Sequence, residues 1–336
     1  MHNRKTVFLL IILIVSSILL AACGEGAAKE ESSKSGSKGN KEELTKVTYA
    51  VFDGLNGMAV RFGHAKGFFE EEGIDLDLVV VKDEVAALTT GDVDIADANT
   101  TKIIIGAGKG APIKIVSSMF RTRGPFYLIA KPEIKSVEDL KGKNVGIGIA
   151  GSGMEVYTRK ILQDHNVSVD DVNLINNGVY QQGYASLQTG QVDATIIHEP
   201  FVTLGEATGE AHLLALGWEY LPDFHTGVLA ANETFAKENP ELVTKVLKGY
   251  LKSQEYAKQN TDEYVEFVLK HVEIEEDVLR SALEREKVLW ENKLFVEVDR
   301  IKATQQLGYD LGFQEELYDI ESIVDNSFIP ETQEEK

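Results

Sequence analysis

From Lys46 onward, short apolar runs alternate with stretches of helical period. Val47-Thr48-Tyr49-Ala50-Val51-Phe52 has the β-branched and aromatic content of a strand. It runs into Asp53-Gly54-Leu55-Asn56-Gly57, a turn-rich loop. A helix is predicted from there through Phe69, stopped by Gly73 and followed by a strand over Ile74 to Val81. A further helix–strand unit covers Glu84 to Ala96, and another strand covers Ile113 to Ser118. Past Lys131-Pro132 the pattern begins again. Ser136 caps a first turn rich in acids, Asn144 to Ile149 is a strand, and Met154 to Gln163 is a helix. Leu174 to Asn176 and Ala194 to Ile197 are further strands. Strands separated by helices of this length predict βαβ units and largely parallel sheets.

An internal echo splits this pattern into two lobes. Ala86-Ala87-Leu88-Thr89-Thr90-Gly91-Asp92-Val93-Asp94 recurs as Ala185-Ser186-Leu187-Gln188-Thr189-Gly190-Gln191-Val192-Asp193, at a constant offset of 99 residues. That spacing is too long for a solenoid repeat. Two α/β lobes that use the same helix–glycine–strand corner account for it. After about Gly227 the chain turns helical. Asn239-Pro240 opens a helix whose Leu242, Val243, Val246, Leu247, Tyr250 and Leu251 share one face. Amphipathic stretches over Asp262 to His271, Glu276 to Trp290 and Asp299 to Leu311 are expected to return and brace the first lobe.

The amino terminus changes the picture. Arg4 and Lys5 precede Val7 to Ala22, sixteen residues without a charge, which has the layout of a secretory signal peptide over 1–22. It is short for a membrane span, which needs ~20 apolar residues. The segment Leu20-Ala21-Ala22-Cys23 resembles a bacterial lipobox, which implies a lipid on Cys23 and an extracytoplasmic, membrane-anchored protein. Residues 24–43 lack any aromatic or branched aliphatic side chain and form, with Cys23, a flexible tether over 23–43. Membrane contact is expected through the lipid alone.

Composition narrows the chemistry. Cys23 is the single cysteine, so the anchor leaves no thiol for catalysis, a disulfide or a cysteine-ligated metal. The formal net charge of −20 disfavours nucleic acid as a partner. His64, His165, His198, His212, His225 and His271 show no metal-binding spacing. Glu71-Glu72 and Glu275-Glu276 lie on helical stretches and read as solvated faces. No catalytic site, metal or cofactor is expected.

Several pieces in order carry a family resemblance: Gly67-Phe68-Phe69-Glu70-Glu71-Glu72-Gly73-Ile74-Asp75-Leu76, Gly91-Asp92-Val93-Asp94-Ile95-Ala96, and Ser136-Val137-Glu138-Asp139-Leu140-Lys141-Gly142-Lys143-Asn144-Val145-Gly146. Gly151-Ser152, Gly190-Gln191-Val192-Asp193-Ala194 and Glu199-Pro200 complete the set. Over Lys46 to Phe328 the chain resembles the nitrate/sulfonate/taurine-type (NitT/TauT) substrate-binding proteins, which include binders of thiamine-pyrimidine precursors. The resemblance implies an α/β, type II periplasmic-binding-protein fold: two α/β lobes, two hinge crossings and a ligand cleft. The expected lobes are 44–124 plus 228–330 and 125–227. The implied role is a monomeric solute-binding lipoprotein that serves an ABC permease and its ATPase. It would not be an enzyme. The yeast-type pyrimidine synthase of this fold depends on a cysteine-rich motif, and no cysteine is available for one here. An adhesin or sensor on the same scaffold is the third class.

Ligands of open α/β sheets lie beyond the carboxyl ends of the strands. That places candidate contacts at Asp53, Asn56, Asn99, Thr100, Thr101, Ser152, Tyr180, Gln181, His198 and Glu199. Gly151-Ser152-Gly153 and Asn99-Thr100-Thr101 each precede a helix and offer amides to an anion, or else simply cap it. Arg121 and Arg123, near the first hinge, are candidates for a charge-assisted clamp or for bonds within the protein. Glu199 would repel a sulfonate and suit an amine or an aminopyrimidine, or sit in a helix first turn. An aliphatic sulfonate, taurine or nitrate is the expected solute, with a thiamine-precursor aminopyrimidine as the alternative. Phe52 is the one aromatic residue of the first loop, which argues modestly against the pyrimidine.

Overall fold

The computed structural model describes residues 44–120, 123–291 and 293–330. The signal segment, Cys23, the tether and Arg121 lie outside the described residues. The first lobe alternates β1 (Thr45–Ala50), α1 (Met58–Ala65), β2 (Ile74–Val79), α2 (Glu84–Thr90), β3 (Ile95–Asn99), α3 (Thr100–Gly108) and β4 (Ile113–Phe120). The chain then crosses to β5 (Tyr127–Ala130), β6 (Asn144–Gly146), α4 (Gly153–Asp164), β7 (Asn173–Ile175), α5 (Tyr180–Gln188), β8 (Ala194–Ile197), α6 (Phe201–Thr208) and β9 (His212–Leu216). A short helix, α7 (Gly217–Tyr220), begins the return crossing to β10 (Gly227–Asn232). After it come α8 (Glu233–Glu238), α9 (Pro240–Gln259), α10 (Thr261–Leu269), α11 (Glu276–Glu286), α12 (Val298–Asp310) and α13 (Ile320–Ile323).

The strands form two five-stranded sheets of one topology, β2-β1-β3-β10-β4 and β7-β6-β8-β5-β9. The sheets are mixed rather than largely parallel. β10 runs antiparallel between β3 and β4, and β5 runs antiparallel between β8 and β9. Both inserted strands are buried along their whole length. Their alternate residues serve opposite faces: Leu229 and Ala231 pack with α9, while Val228 and Ala230 pack with α2, α3 and Ile301 of α12. Leu128 joins the core under α4, and Tyr127 and Ile129 join the core under α5 and α6. A strand covered on both faces reads as a continuous apolar run, without the alternation that marks a half-buried one.

The repeated corner is one structural device used twice. Gly91 and Gly190 take the left-handed backbone (φ +76° and +78°) that ends α2 and α5. Three residues on, Asp94 and Asp193 each lock the next strand to the sheet. Asp94 Oδ2 accepts from the Thr48 amide at 2.8 Å, and the Asp94 amide donates to the Thr48 carbonyl at 2.9 Å. Asp193 Oδ2 and its amide make the same pair of bonds with Asn144, at 3.0 and 2.8 Å.

The carboxyl-terminal helices brace both lobes, not the first alone. α9 lies on α1, and Leu279, Ala282 and Leu283 of α11 pack against Leu55, Met58 and Phe62. The end of α11 then reaches the second lobe: Arg285 meets Glu199 at 2.9 Å and Glu206 at 2.5 Å. α12 places Ile301 in the first lobe's core and Leu307 and Leu311 against the second lobe's.

α1 packs tightly on α9 at Gly63, where a β-carbon would fall 1.7 Å from Ser253 Oγ. Gly63→Ala is expected to cost about 1–3 kcal/mol, the range for overpacking a tight contact. Chemical denaturation checks it, and an unchanged midpoint would mean that the two helices part freely.

Candidate functional site

A cavity of about 510 Å³ lies between the sheets. Each sheet's parallel strands deliver their carboxyl ends to it. Phe52, Asp53 and Asn56 follow β1, Lys82 and Glu84 follow β2, and Asn99 ends β3. From the second lobe come Ile149 and Ser152 after β6, Gly178, Val179 and Tyr180 after β7, and His198 after β8.

One wall is aromatic. Tyr180 stacks on His198 at 5.1 Å and 28°, and His198 meets Phe126 at 4.9 Å. Tyr180 holds a left-handed backbone (φ +52°), uncommon for a bulky residue and a form of strain that collects at binding sites. Gly54 faces it from the first lobe at φ +63°, and a β-carbon there would sit 2.7 Å from the tyrosine ring. Asn56 completes the contact between lobes: it hydrogen-bonds Tyr180, and its Nδ2 lies 3.4 Å from His198 Nδ1. An amide nitrogen only donates, so His198 Nδ1 accepts. The bond to the backbone of Pro125, which has no N–H, must then be donated by the imidazole. Together these bonds describe a neutral ring. Burial also drives His198 down to about 4, so it stays uncharged at neutral pH.

The floor carries an acid. Asp97 is 2% exposed, on an inward position of β3 beside β1. Its Oδ1 accepts from Tyr49 Oη at 2.5 Å and its Oδ2 from the Phe52 amide at 2.9 Å. Burial pushes the carboxyl up to about 7 against the pull of those two bonds and of Arg61.

At the other end, the amino termini of α3 and α4 meet across the cleft. Asn99 caps α3, its Oδ1 accepting from the Lys102 amide at 3.3 Å and Thr101 Oγ1 at 2.6 Å. The Thr101 hydroxyl is also 3.3 Å from the Gly151 carbonyl of the second lobe. Ser152 Oγ donates to the Ile149 carbonyl at 2.6 Å, which leaves its lone pairs available as acceptors. Four of the six amides expected to serve an anion are already engaged: Gly151 N–H donates to Glu155 Oε2 at 2.8 Å, Ser152 N–H to the Ile149 carbonyl and Thr100 N–H to the Thr226 carbonyl, each at 3.2 Å, and Asn99 N–H to Glu84 Oε1 at 3.4 Å. Lys102 Nζ stands 3.5 Å from Glu84, and both residues line the cavity.

A model of the NMT1/THI5-like family matches residues 56–264. The chain belongs to the NMT1/THI5-like family. It is 24% identical over 312 residues to a Bacillus subtilis protein named "Putative aliphatic sulfonates-binding protein", covering 90% of this chain and 92% of that one. It is 26% identical over 237 residues to the formylaminopyrimidine-binding protein of Halalkalibacterium halodurans, with 65% and 70% covered. Among solved structures, the alkanesulfonate-binding protein SsuA of Xanthomonas axonopodis pv. citri, bound to MOPS, superposes with a TM-score of 0.72 at 16% identity. That match covers 85% of this chain and 99% of SsuA. The kinship expected from the motifs and the two-lobed periplasmic-binding fold both hold.

In this NMT1/THI5-like chain the cleft gathers Asp53, Asn56, Asn99, Ser152, Tyr180 and His198 from the residues that the sequence singles out. Thr100 is fully buried behind Asn99, Thr101 links the lobes, and Gln181 is exposed while Gln182 lines the cavity. Glu199, joined to Pro200 by a cis peptide, is 1% exposed and turned away from the cavity. Its carboxylate accepts from the Thr203 amide (3.0 Å), Thr203 Oγ1 (2.9 Å) and Arg285. Arg123 is exposed and does not line the cavity. His225 sits in the hinge, its Nε2 3.0 Å from Ser118 Oγ and its amide on Thr304 Oγ1. Sequence reasoning missed Asp97, Phe126 and Lys102. An acid on an inward position of an apolar strand was the available signal for Asp97.

Two outcomes follow for this cleft. Unfolded Asp97 titrates near 3.8 and folded Asp97 near 7, so between those values the native state holds a proton that the unfolded chain has lost. Stability is therefore lost as pH rises across that window. Asp97→Asn is expected to flatten this part of the stability–pH profile in urea titrations; a slope that persists would place the titration elsewhere. Gly54→Ala should push Tyr180 away and open the lobes, giving a larger radius of gyration by X-ray scattering with unchanged circular dichroism. An unaltered radius would show that this contact does not hold the lobes together.

Proposed function

We propose that the chain is the solute-binding subunit of an ABC importer, held at the outer face of the cell membrane by a lipid on Cys23. Its cleft takes a small organic anion of the aliphatic sulfonate class and performs no chemistry on it. The observation that carries this is the meeting of the α3 and α4 amino termini from opposite lobes, with Asn99 and Ser152 on the cavity wall. The dipoles of the two helices favour negative charge at these ends, and both ends line one cavity. Lys82 adds a positive charge on the same wall, while that of Lys102 is offset by Glu84. Val80, Val81, Ile149, Met154 and Val179 supply the apolar surface that an alkyl chain needs. Relatives and fold neighbours named for sulfonates support the same class.

A second reading has its own observation. The Phe126–His198–Tyr180 wall and the buried Asp97 carboxyl suit a flat ring that donates through an exocyclic amine, as an aminopyrimidine does. The relative named for formylaminopyrimidine supports it.

Thermal-shift titrations with alkanesulfonates of rising chain length, nitrate, a formylaminopyrimidine and thiamine separate the two. Saturable stabilisation by alkanesulfonates is expected, tightening by about four-fold per methylene, the equivalent of ~0.8 kcal/mol, until the cavity is full. Stabilisation by the pyrimidine alone, abolished in Asp97→Asn, would replace the sulfonate assignment.

A further inference from the structure

Behind the cleft lies a second cavity of about 70 Å³, at the junction of the hinge with α9, α10 and α11. A single water occupies roughly 10–15 Å³ on this scale, so the space admits several waters or a small organic ion. Tyr250, Tyr264 and Trp290 line it, together with Gln254, Asn56 and Glu286. Lys293 is exposed at the rim.

Glu286 is short of partners. It is 6% exposed, and among the described residues its one hydrogen bond comes from Tyr127 Oη at 3.4 Å. The neighbouring cation, Arg285, is engaged by Glu199 at 2.9 Å and Glu206 at 2.5 Å. That guanidinium serves two carboxylates directly, and Glu286, on the cavity wall, has no ion pair of its own among the described residues. A buried carboxylate without a counter-charge is costly to ionise. Burial and the nearby Glu199 hold Glu286 up at about 8. Aromatic walls, amide oxygens and one unpaired carboxylate are the groups that recognise an ammonium ion.

We propose that this cavity is a binding site for a small protonated amine, with Glu286 as its counter-charge and Tyr250, Tyr264 and Trp290 as its walls. The site does not depend on which solute the cleft takes. It shares the side chain of Asn56 with the cleft, so an amine bound there sits one residue from the solute.

The test is thermal shift and calorimetry with ammonium, methylammonium and ethylammonium chloride against sodium chloride at equal ionic strength, at pH 7 and pH 9. Saturable stabilisation by the amines and not by sodium is expected, stronger at pH 9, where Glu286 is ionised and alkylamines (near 10.4 for a lysine-type amine) still carry their proton. Glu286→Gln keeps the size and removes the charge, and should abolish the effect. Trp290→Leu should weaken it by about five-fold while leaving its pH dependence intact. An equal shift with sodium, a shift that survives in Glu286→Gln, or no shift at pH 9 would overturn the proposal, the last meaning that the cavity holds water alone.

Discussion

Each sheet is completed by a strand that arrives from the other lobe. β5 enters the second sheet directly from the first lobe, and β10 enters the first sheet from the second. Both strands are buried along their whole length, so each lobe holds in its core a strand that the other lobe sends it. This constraint fixes where the cleft must be. The parallel strands of both sheets aim their carboxyl ends at the crossings, and the groups at those ends converge on one cavity. Neither lobe can shift register without breaking the pairs that Asp94 and Asp193 make with the adjoining strands.

What was legible in the sequence was whatever a local pattern records. The corner repeated at 99 residues marks both lobes, and its aspartates turn out to perform one task twice. The helices from Pro240 onward were plain from their apolar stripe. The crossing strands were not. Tyr127–Ala130 is only four residues long, and Gly227–Asn232 is a run of small apolar residues buried on both faces, so neither shows a two-residue alternation. The mixed sheets follow from these two strands and were unreadable for the same reason.

At the cleft, a place just after a strand brings a residue near the cavity, and the direction of its side chain decides whether it lines it. His198 and Glu199 are neighbours, yet one lines the cavity and the other turns to Thr203 and Arg285. Nothing local distinguishes them; the distinguishing group, Arg285, lies 86 residues further along the chain. Asp97 was hidden because a buried acid in a strand takes its meaning from Tyr49 on the neighbouring strand.

The fork of Arg285 bears on how the molecule moves. It grips Glu199 and Glu206 in the second lobe from a helix rooted in the first, while α12 is rooted in both cores. Two strand crossings alone would act as a pair of parallel bands and leave the jaws free both to gape and to roll. A third attachment off that line removes a degree of freedom. Any opening of the cleft must therefore either carry α11 along with the second lobe or part Arg285 from both Glu199 and Glu206.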